Sequence, residues 1–465
     1  MNLNPKLTGI KSDNVSQVIS VFTEQSWKTA KENYPDALSN FFSGKKNEAF
    51  IRVNNGIAEF LVGMGSDEVK DFEIQRTAQK FSLNYKKNFQ PVPTEFTANF
   101  TESQLEAFVK GLYLGTYRYP FLADHPVWQN EFQLEVPNIK EETLSKIADS
   151  VAALCEGQFT CMDWLNRPAN EKTSEIFSEF LKKLASEKNF EIEIFNREQC
   201  KEMGLGAFSA VNQGSAHEAA FTVLKYNSSA QDAKTIGLVG KCVLFDTGGI
   251  SLKDPLNMHY MKSDMGGATA VIGTMIAAAE MQLPVNIVAV LPITDNAISA
   301  QACLPSDVVT AYNGKTIEIR DTDAEGRLTL ADALAYLSKN YQTDYLLDLA
   351  TLTGSAVRMF GDTCGAMFSN DAALRDLLIS SGDETDQRLW NLPLWDVWDD
   401  EIQSDVADLK HMSMKPVGDC IVAAKFLSHF INDHPAWAHL DIAAMTFSNV
   451  GYAKEKAATG YGVEL

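Results

Sequence analysis

The sequence predicts an α/β fold built in two parts. A small N-terminal α/β domain is expected over residues 1–140. A connecting helix follows over 141–165, then a larger domain over 166–465 with a mostly parallel sheet flanked by helices. Three observations lead there. The chain has 465 residues, 45% of them hydrophobic, which is enough for a large core and more than one domain. Residues 49–65, AFIRVNNGIAEFLVGMG, alternate about Asn54-Asn55-Gly56, the pattern of a hairpin. Beyond residue 190, short β-branched runs alternate with helical runs, as in a parallel sheet covered on both faces.

SQLEAFVKGLYLGTY (103–117) spaces its apolar residues for one face of a helix,. EETLSKIADSVAALCEGQFTCMDWL (141–165) is a longer amphipathic pattern and predicts the connecting helix,. Pro168 interrupts it, and Thr173 is placed to cap the next helix,. From there IGLVGKCVLFD, VNIVAVLPI, YLLDLATLTG and WAHLDIAAM read as strands. GGATAVIGTMIAAAEM, LTLADALAYLSKN and IVAAKFLSHFI read as helices. Sites in such sheets gather at the carboxyl ends of strands.

The bulk charge narrows the function. A formal net charge of -21 repels phosphate backbones and anionic lipid, so nucleic acid is a poor partner. MNLNPKLTGIKSDN has no apolar core of a signal peptide,. No apolar run reaches the about 18 residues of a membrane span. The seven cysteines are odd in number and scattered without a CxxC, which predicts reduced thiols in a cytoplasmic protein rather than a disulfide framework.

The ionisable residues that follow the predicted strands are the candidates for chemistry: Lys241, Asp246, Lys253, Asp264, Asp323, Glu325 and Arg327. LVGKCVLFD ends in Asp246, and TIEIRDTDAEGR sets its acids directly after the predicted strand TIEIR. Taken singly, each has an ordinary role. Asp246 before Thr247-Gly248-Gly249 suits a turn, Asp264 suits a helix N-cap, and Asp323 and Glu325 suit the first turn of a helix. Lys253 reads as a solvated lysine and Arg327 as a surface pairing partner. Jointly, four carboxylates in one cleft cannot all stay ionised without cations. Two divalent metals about 3.5–4 Å apart would neutralise them and share a water. There is no HExxH, no GxxxxGK[ST] and no GxSxG, so a zincin site, a P-loop and a nucleophile elbow are excluded.

DTDAEGRL at 321–328 resembles the NTDAEGRL signature of the leucyl aminopeptidases, the cytosol aminopeptidase family of two-metal exopeptidases. VGKCVLFDTGGISLK, MKSDMGGA (261–268), GAFSAVNQGS, DLATLTG, WAHLDIA and ATGYGV are similar to further segments of that family. The resemblance covers about residues 155–465, and LVGMG and GLYLGTY fit its N-terminal domain more weakly. It implies a larger, catalytic domain with a central mixed sheet. It implies that Lys241, Asp246, Asp264, Asp323 and Glu325 are metal ligands, with Asp246 and Glu325 bridging. One ion would take Lys241, Asp246, Asp264 and Glu325. The other would take Asp246, Glu325 and Asp323, the last through side chain and backbone carbonyl. A lysine ligand must be neutral, which a dication enforces. Such ligands suit Zn2+ or Mn2+, and also Mg2+ or Co2+.

On the same resemblance, Lys253 would polarise the scissile carbonyl and stabilise the gem-diolate. Arg327 would hold a bicarbonate ion serving as general base. Met261 and the segment Ala443, Ala444, Met445 and Thr446 would line the pocket for the N-terminal side chain, favouring Leu and Met over Asp, Glu and Gly. Peptide substrates and a homohexamer with its sites facing an interior cavity are also implied.

The chain departs from the family pattern at Asp321 for asparagine, Cys242 for glycine, Asp254 after Lys253, and Ala219-Ala220 for a Pro-Pro pair. GDCIVAA (418–424) also stands where the family has a GG-containing turn. Asp321 places a further acid two residues before a proposed ligand. It would either add charge to the metal site or hydrogen-bond its own loop, as asparagine would. Two other functions use the same acids or none: a two-metal phosphoesterase, and a non-catalytic binding protein. The net charge helps neither.

Overall fold

The computed structural model describes residues 5–9, 15–85, 92–119, 133–137, 139–415 and 418–465. Residues 1–4 and 10–14 of the N-terminal stretch read above lie outside that set. The chain divides into two compact units, residues 1–156 with 451–454, and 157–450 with 455–465. The division falls within one helix, Glu141–Asn166. Thr173 caps the helix after it, Ser174–Lys188, accepting from the Ile176 amide. No cysteine is disulfide-bonded, and no helix among the described residues is long and apolar enough to cross a membrane.

The first unit holds a six-stranded sheet of β1 (Lys6–Thr8), β2 (Gln17–Thr23), β3 (Ala49–Asn54), β4 (Ile57–Gly65), β5 (Pro93–Thr97) and β6 (Gln133–Glu135). Their order is β1-β6-β5-β2-β4-β3, parallel except for β3–β4. That exception is the hairpin read from the sequence. Asn54 pairs with Ile57, and Asn55 and Gly56 take φ of 51° and 83°. Both central residues are therefore left-handed, as a two-residue turn between twisted strands requires. Helices Asp71–Tyr85 and Glu102–Leu114 belong to the same unit.

The second unit is built on nine strands: β7 (Glu191–Phe195), β8 (Ala220–Tyr226), β9 (Lys234–Gly240), β10 (Cys242–Asp246), β11 (Val285–Asn296), β14 (Tyr345–Ala350), β15 (Gly365–Ser369), β16 (Leu389–Asn391) and β18 (Trp437–Asp441). A separate small sheet takes β12 (Val308–Thr310), β13 (Thr316–Glu318) and β17 (Leu409–Lys410). The large sheet runs β16-β15-β18-β14-β9-β11-β8-β7, with β10 also on β11. Five of its eight strand pairs are parallel, so the sheet is mixed and mostly parallel. Helices cover both faces. A Cβ at Gly237 would meet Leu337 of the helix Glu325–Asn340, whereas one at Gly240 would meet Ala268 of the helix Gly266–Glu280. Residues 237 and 240 point to opposite sides of a pleated strand.

One sequence expectation changes here. TIEIR does not end a strand of the large sheet, because β13 pairs with β12 and β17 in the small one. The acids after it reach the large sheet's edge through the helix they start. Residues Glu325 to Leu337 of that helix are all buried. Leu328, Leu330, Leu334 and Leu337 are at most 2% exposed, and each buried leucine contributes roughly 1.5–3 kcal/mol. That burial offsets the cost of carrying Glu325 and Arg327 inside. Asp332 ties the same helix to two neighbours by accepting the Phe208 amide at 2.9 Å and the Tyr312 amide at 2.8 Å.

Candidate metal centre

The site forms where β9, β10, β11 and β14 end. Lys241 is the single residue between β9 and β10. Its amide donates to Leu349 O, and its carbonyl accepts from Ala268 N, both at 3.0 Å. The backbone is thus clamped between β14 and a helix, and the side chain is fixed at the sheet's edge. Asp246 closes β10. Its Oδ1 accepts from the Gly248 amide and from Asn296 Nδ2, each at 2.8 Å. The turn role is real, but it engages one oxygen only, and Oδ2 faces Lys253. Asp264 is not an N-cap: Met265 stands in that position and no side chain caps the helix. Asp264 Oδ1 instead accepts from Thr351 Oγ1 at 2.7 Å. Asp323 lies in the short 3-10 turn Thr322–Ala324, and Glu325 is the first residue of the long helix.

Together these segments make one cluster. Lys241 Nζ is 2.7 Å from Asp264 Oδ2 and 2.9 Å from Glu325 Oε1. Lys253 Nζ is 2.8 Å from Asp246 Oδ2 and 2.5 Å from Asp323 Oδ1. Oxygens of Asp246, Asp323 and Glu325 all lie within 4.8 Å of one another. Four carboxylates therefore face two ammonium groups, leaving a formal −4 + 2 = −2.

The donor set fits divalent cations. Asp264 Oδ2, Asp323 Oδ1 and both oxygens of Glu325 are buried without a hydrogen bond of acceptable geometry. Three of the four lie near a lysine nitrogen, so those contacts are charge pairs by proximity rather than directed bonds. Glu325 Oε2 has neither. Buried acceptors left in this way are costly unless something else ligates them, and an oxygen-rich set of this kind suits hard or borderline dications.

Electrostatics agree with the geometry. Burial raises the Asp264 carboxyl well above the usual range, only partly opposed by Lys241. Burial and then the charge of Asp246 raise Glu325 and push Asp323 up to about 7. Burial alone would lower Lys241, but the charges of Asp264, Glu325 and Asp246 outweigh it and hold the ammonium form. Lys253 is held charged in the same way, chiefly by Asp246 and Glu325 against its burial. Burial is the first cause of each carboxylate's rise, and the neighbouring carboxylates are what keep both lysines charged.

Arg327 is 3% exposed and is no surface partner. Its Nη1 donates to His411 O at 3.1 Å and its Nη2 to Asp419 Oδ1 at 3.0 Å. His411, wholly buried, was not singled out in the sequence. Its Nδ1 accepts the Arg320 amide, so Nε2 carries the proton and donates to Asp321 O at 2.8 Å. Burial, with the nearby Arg327 charge, pushes His411 down to about 4 and keeps it neutral. It props the acidic segment from behind. Asp321 uses Oδ1 to accept the Asp323 amide at 2.9 Å, a bond that an asparagine oxygen would also accept.

Sequence reasoning also missed Asn296, Thr351 and Gly326. Asn296 stands at a strand's carboxyl end, a position that could have flagged it. Thr351 is an ordinary threonine until β14 delivers it to Asp264. Gly326 lets Lys241 lie across the helix, since a Cβ there would sit 2.5 Å from Lys241 Cε and 2.6 Å from Nζ. Met261 lies in the 3-10 turn Met258–Ser263 just before Asp264. Ala443, Ala444 and Met445 are half-buried in the turn after β18. Thr446, which follows them, would be 2.9 Å from a Cβ at Gly266.

The model of the cytosol aminopeptidase family, catalytic domain, matches residues 159–465. A probable cytosol aminopeptidase of Chlorobium limicola is 41% identical over 370 residues, spanning 77% of this chain and 73% of its own length. One from Rickettsia bellii is 38% identical over 443 residues, spanning 91% and 88%. Among solved structures, the bottromycin maturation enzyme BotP in complex with Mn superposes with a TM-score of 0.85. It has 26% identity and covers 97% of this chain and 98% of that one.

Proposed function

Because the chain belongs to the cytosol aminopeptidase family, and is therefore a metal-dependent hydrolase of aminopeptidase type, we propose that Lys241, Asp246, Asp264, Asp323 and Glu325 hold two divalent cations and that it releases N-terminal residues, Leu and Met first, from peptides. The observation that carries this reading is the convergence of Asp246, Asp323 and Glu325 within 4.8 Å, with orphaned oxygens on two of them. Zn2+ or Mn2+ are the ions of first choice, with Mg2+ and Co2+ as further candidates. The chemistry is assigned to residues 166–465, with 1–140 as an N-terminal domain and 141–165 as the connecting helix. Assembly as a homohexamer and a cytoplasmic location belong to the same proposal and rest on family resemblance.

Two dications bound here supply Lewis acidity, bring a water's pKa toward neutrality and give a free α-amine a partner. The chain's own groups do the rest. Asn296 and the Gly248 amide fix Asp246, and Thr351 fixes Asp264, so the ligand oxygens are oriented in advance. Lys253 is the cation of the pair with access to solvent, its side chain 21% exposed against 4% for Lys241. It is the group to meet a substrate carbonyl and stabilise the developing oxyanion.

The test is a profile of aminoacyl p-nitroanilides after chelation and re-addition of Mn2+, Zn2+ or Co2+, with p-nitrophenyl phosphate alongside. Leu and Met substrates should lead, since thioether and small apolar walls accommodate them, and the phosphate ester should be untouched. A profile led by Asp or Glu would refute the assignment of Met261, Ala443 and Met445 to the pocket.

Gly326→Ala tests the lysine ligand separately. Gly326 is the second residue of its helix, so alanine gains little helix propensity there, and moving Lys241 off Asp264 and Glu325 should lower the melting temperature,. The added methyl displaces Lys241, so metal affinity should fall by roughly 10–100-fold, the size seen when a ligand loses its supporting partner. Calorimetric metal titration beside thermal melts reads both. Unchanged metal affinity would remove Lys241 from the ligand set.

A further inference from the structure

Asp441 closes β18 and is 1% exposed, and the reading above gives it no task. Its backbone lies inside the sheet, level with Ala350 of β14 on one side and Ala366 of β15 on the other. Its carboxylate reaches past the end of β14 to the loop Thr351-Leu352-Thr353. Oδ1 accepts from the Leu352 amide at 3.2 Å and from the Ala443 amide at 3.3 Å. Oδ2 accepts from Thr353 Oγ1 at 2.6 Å. Thr353 Oγ1 itself accepts from the Ala356 amide and caps the helix Gly354–Phe360. One buried carboxylate therefore ties this loop to the sheet, through the two residues that follow Thr351.

Thr351 touches two of the proposed ligands, and both are proper to the same ion. Its hydroxyl donates to Asp264 Oδ1 at 2.7 Å, which leaves Oδ2, buried without a hydrogen bond of acceptable geometry, to a cation. Its carbonyl accepts from Lys241 Nζ at 3.0 Å. A carbonyl is an acceptor only, and an amine keeps N–H groups to give it, so this bond suits Lys241 after it loses the proton it must lose to ligate. Asp323, the ligand proper to the other ion, is held by different groups. Its amide donates to Asp321 Oδ1, and His411 Nε2 donates to Asp321 O. We infer that Asp441 is a positioning residue for the Lys241–Asp264 ion alone, acting through Thr351, so that the two ions are supported separately and can be lost separately. The inference rests on the two-ion aminopeptidase reading above and deepens it by dividing the centre into two halves.

The experiment titrates metal-free wild type and Asp441→Asn with Mn2+ by calorimetry, beside thermal melts and Leu-p-nitroanilide hydrolysis. The asparagine keeps an acceptor for the two amides but turns a donor toward Thr353 Oγ1, whose lone pairs already serve the Ala356 amide and Ser355 Oγ. Wild type should bind two ions. Asp441→Asn should bind one of them as wild type does and the other roughly 10–100-fold more weakly, the size of effect expected when a ligand loses its supporting partner. The same substitution should cost affinity in an Asp323→Asn background and none in an Asp264→Asn background. At saturating Mn2+ the kcat of Asp441→Asn should return to that of wild type, because every ligand is still present; a general structural lesion would not titrate back. If Asp441→Asn does not fold, Thr353→Val, which removes one donor from the same carboxylate, should show the same loss at one ion. Equal weakening of both ions, no weakening of either, or a loss that appears in the Asp264→Asn background would overturn the inference and leave the aminopeptidase reading standing. A wild type that binds two ions and hydrolyses no peptide would defeat that reading alone, and the titrations would still decide the role of Asp441. A wild type that binds fewer than two ions would overturn both.

Discussion

Glu325→Ala is expected to lose both metal ions' worth of binding capacity and all measurable peptide hydrolysis, while the protein stays folded. Glu325 is 2% exposed and contributes two oxygens that no donor satisfies properly. It is also the group facing Lys241 on one side and the Asp246–Asp323 pair on the other. Its removal takes away one of the two carboxylates, with Asp246, that are common to both proposed ions. Metal affinity should then fall by more than the ~10–100-fold that loss of a mere supporting partner costs. Folding should survive, because Lys241 keeps Asp264 at 2.7 Å and the helix is held by its leucines. Metal stoichiometry by mass spectrometry, activity and a thermal melt decide the matter together. Two ions per chain and full turnover in the variant would show that Glu325 is a structural acid only. Glu325→Gln refines the test. It preserves shape and removes charge, so it should resemble the alanine variant in metal content if charge is what the cations need.

Lys253→Ala is the second large effect, of a different kind. Lys253 pairs with Asp246 and Asp323, and it contributes positive charge to a site short of it. Deleting it removes a competitor for two ligand oxygens, so metal occupancy should hold or increase. The loss should appear in turnover. Removing one contact to a developing oxyanion typically costs ~10²–10³ in rate, and kcat should fall more than KM rises, since the contact is made mainly in the transition state. Steady-state kinetics at saturating metal separate the two constants. A variant with normal kcat and a raised KM would make Lys253 a ground-state binding residue. A variant that lost its metals would make it a structural one.

These two residues show how far the sequence was legible. Asp246, Lys253, Asp323 and Glu325 stood out because charge was concentrated where strands give way to helices. Each also had a bland reading, and local pattern could not choose between them. Asp246 takes the turn role with Oδ1, while its Oδ2 faces Lys253. Asp264 does not cap its helix, because its carboxylate turns to Lys241 and Thr351. Arg327 looked like a surface cation and is buried. Asp419 was visible as a departure from a glycine pair, but nothing in its neighbourhood named Arg327 as its partner, 92 residues away.

The sequence by itself determined the elements of this protein and the inventory of its charges. Alternation made the 49–65 hairpin, apolar spacing made the helices, and a leucine-rich run after DTDAEGR drew that helix inside. Those are short-range effects, set by φ/ψ preference and by which face of an element is apolar. The tertiary structure alone decided which charges meet. β13 was expected in the large sheet and belongs to a small one, so the acids that follow it arrive by way of a helix instead of a strand end. Lys241 meets Glu325 across 84 positions, and His411 supports Asp321 from 90 positions away. Such pairings depend on strand order and on which strand a helix crosses. They are fixed by burial of the whole core, to which no single segment's pattern gives access.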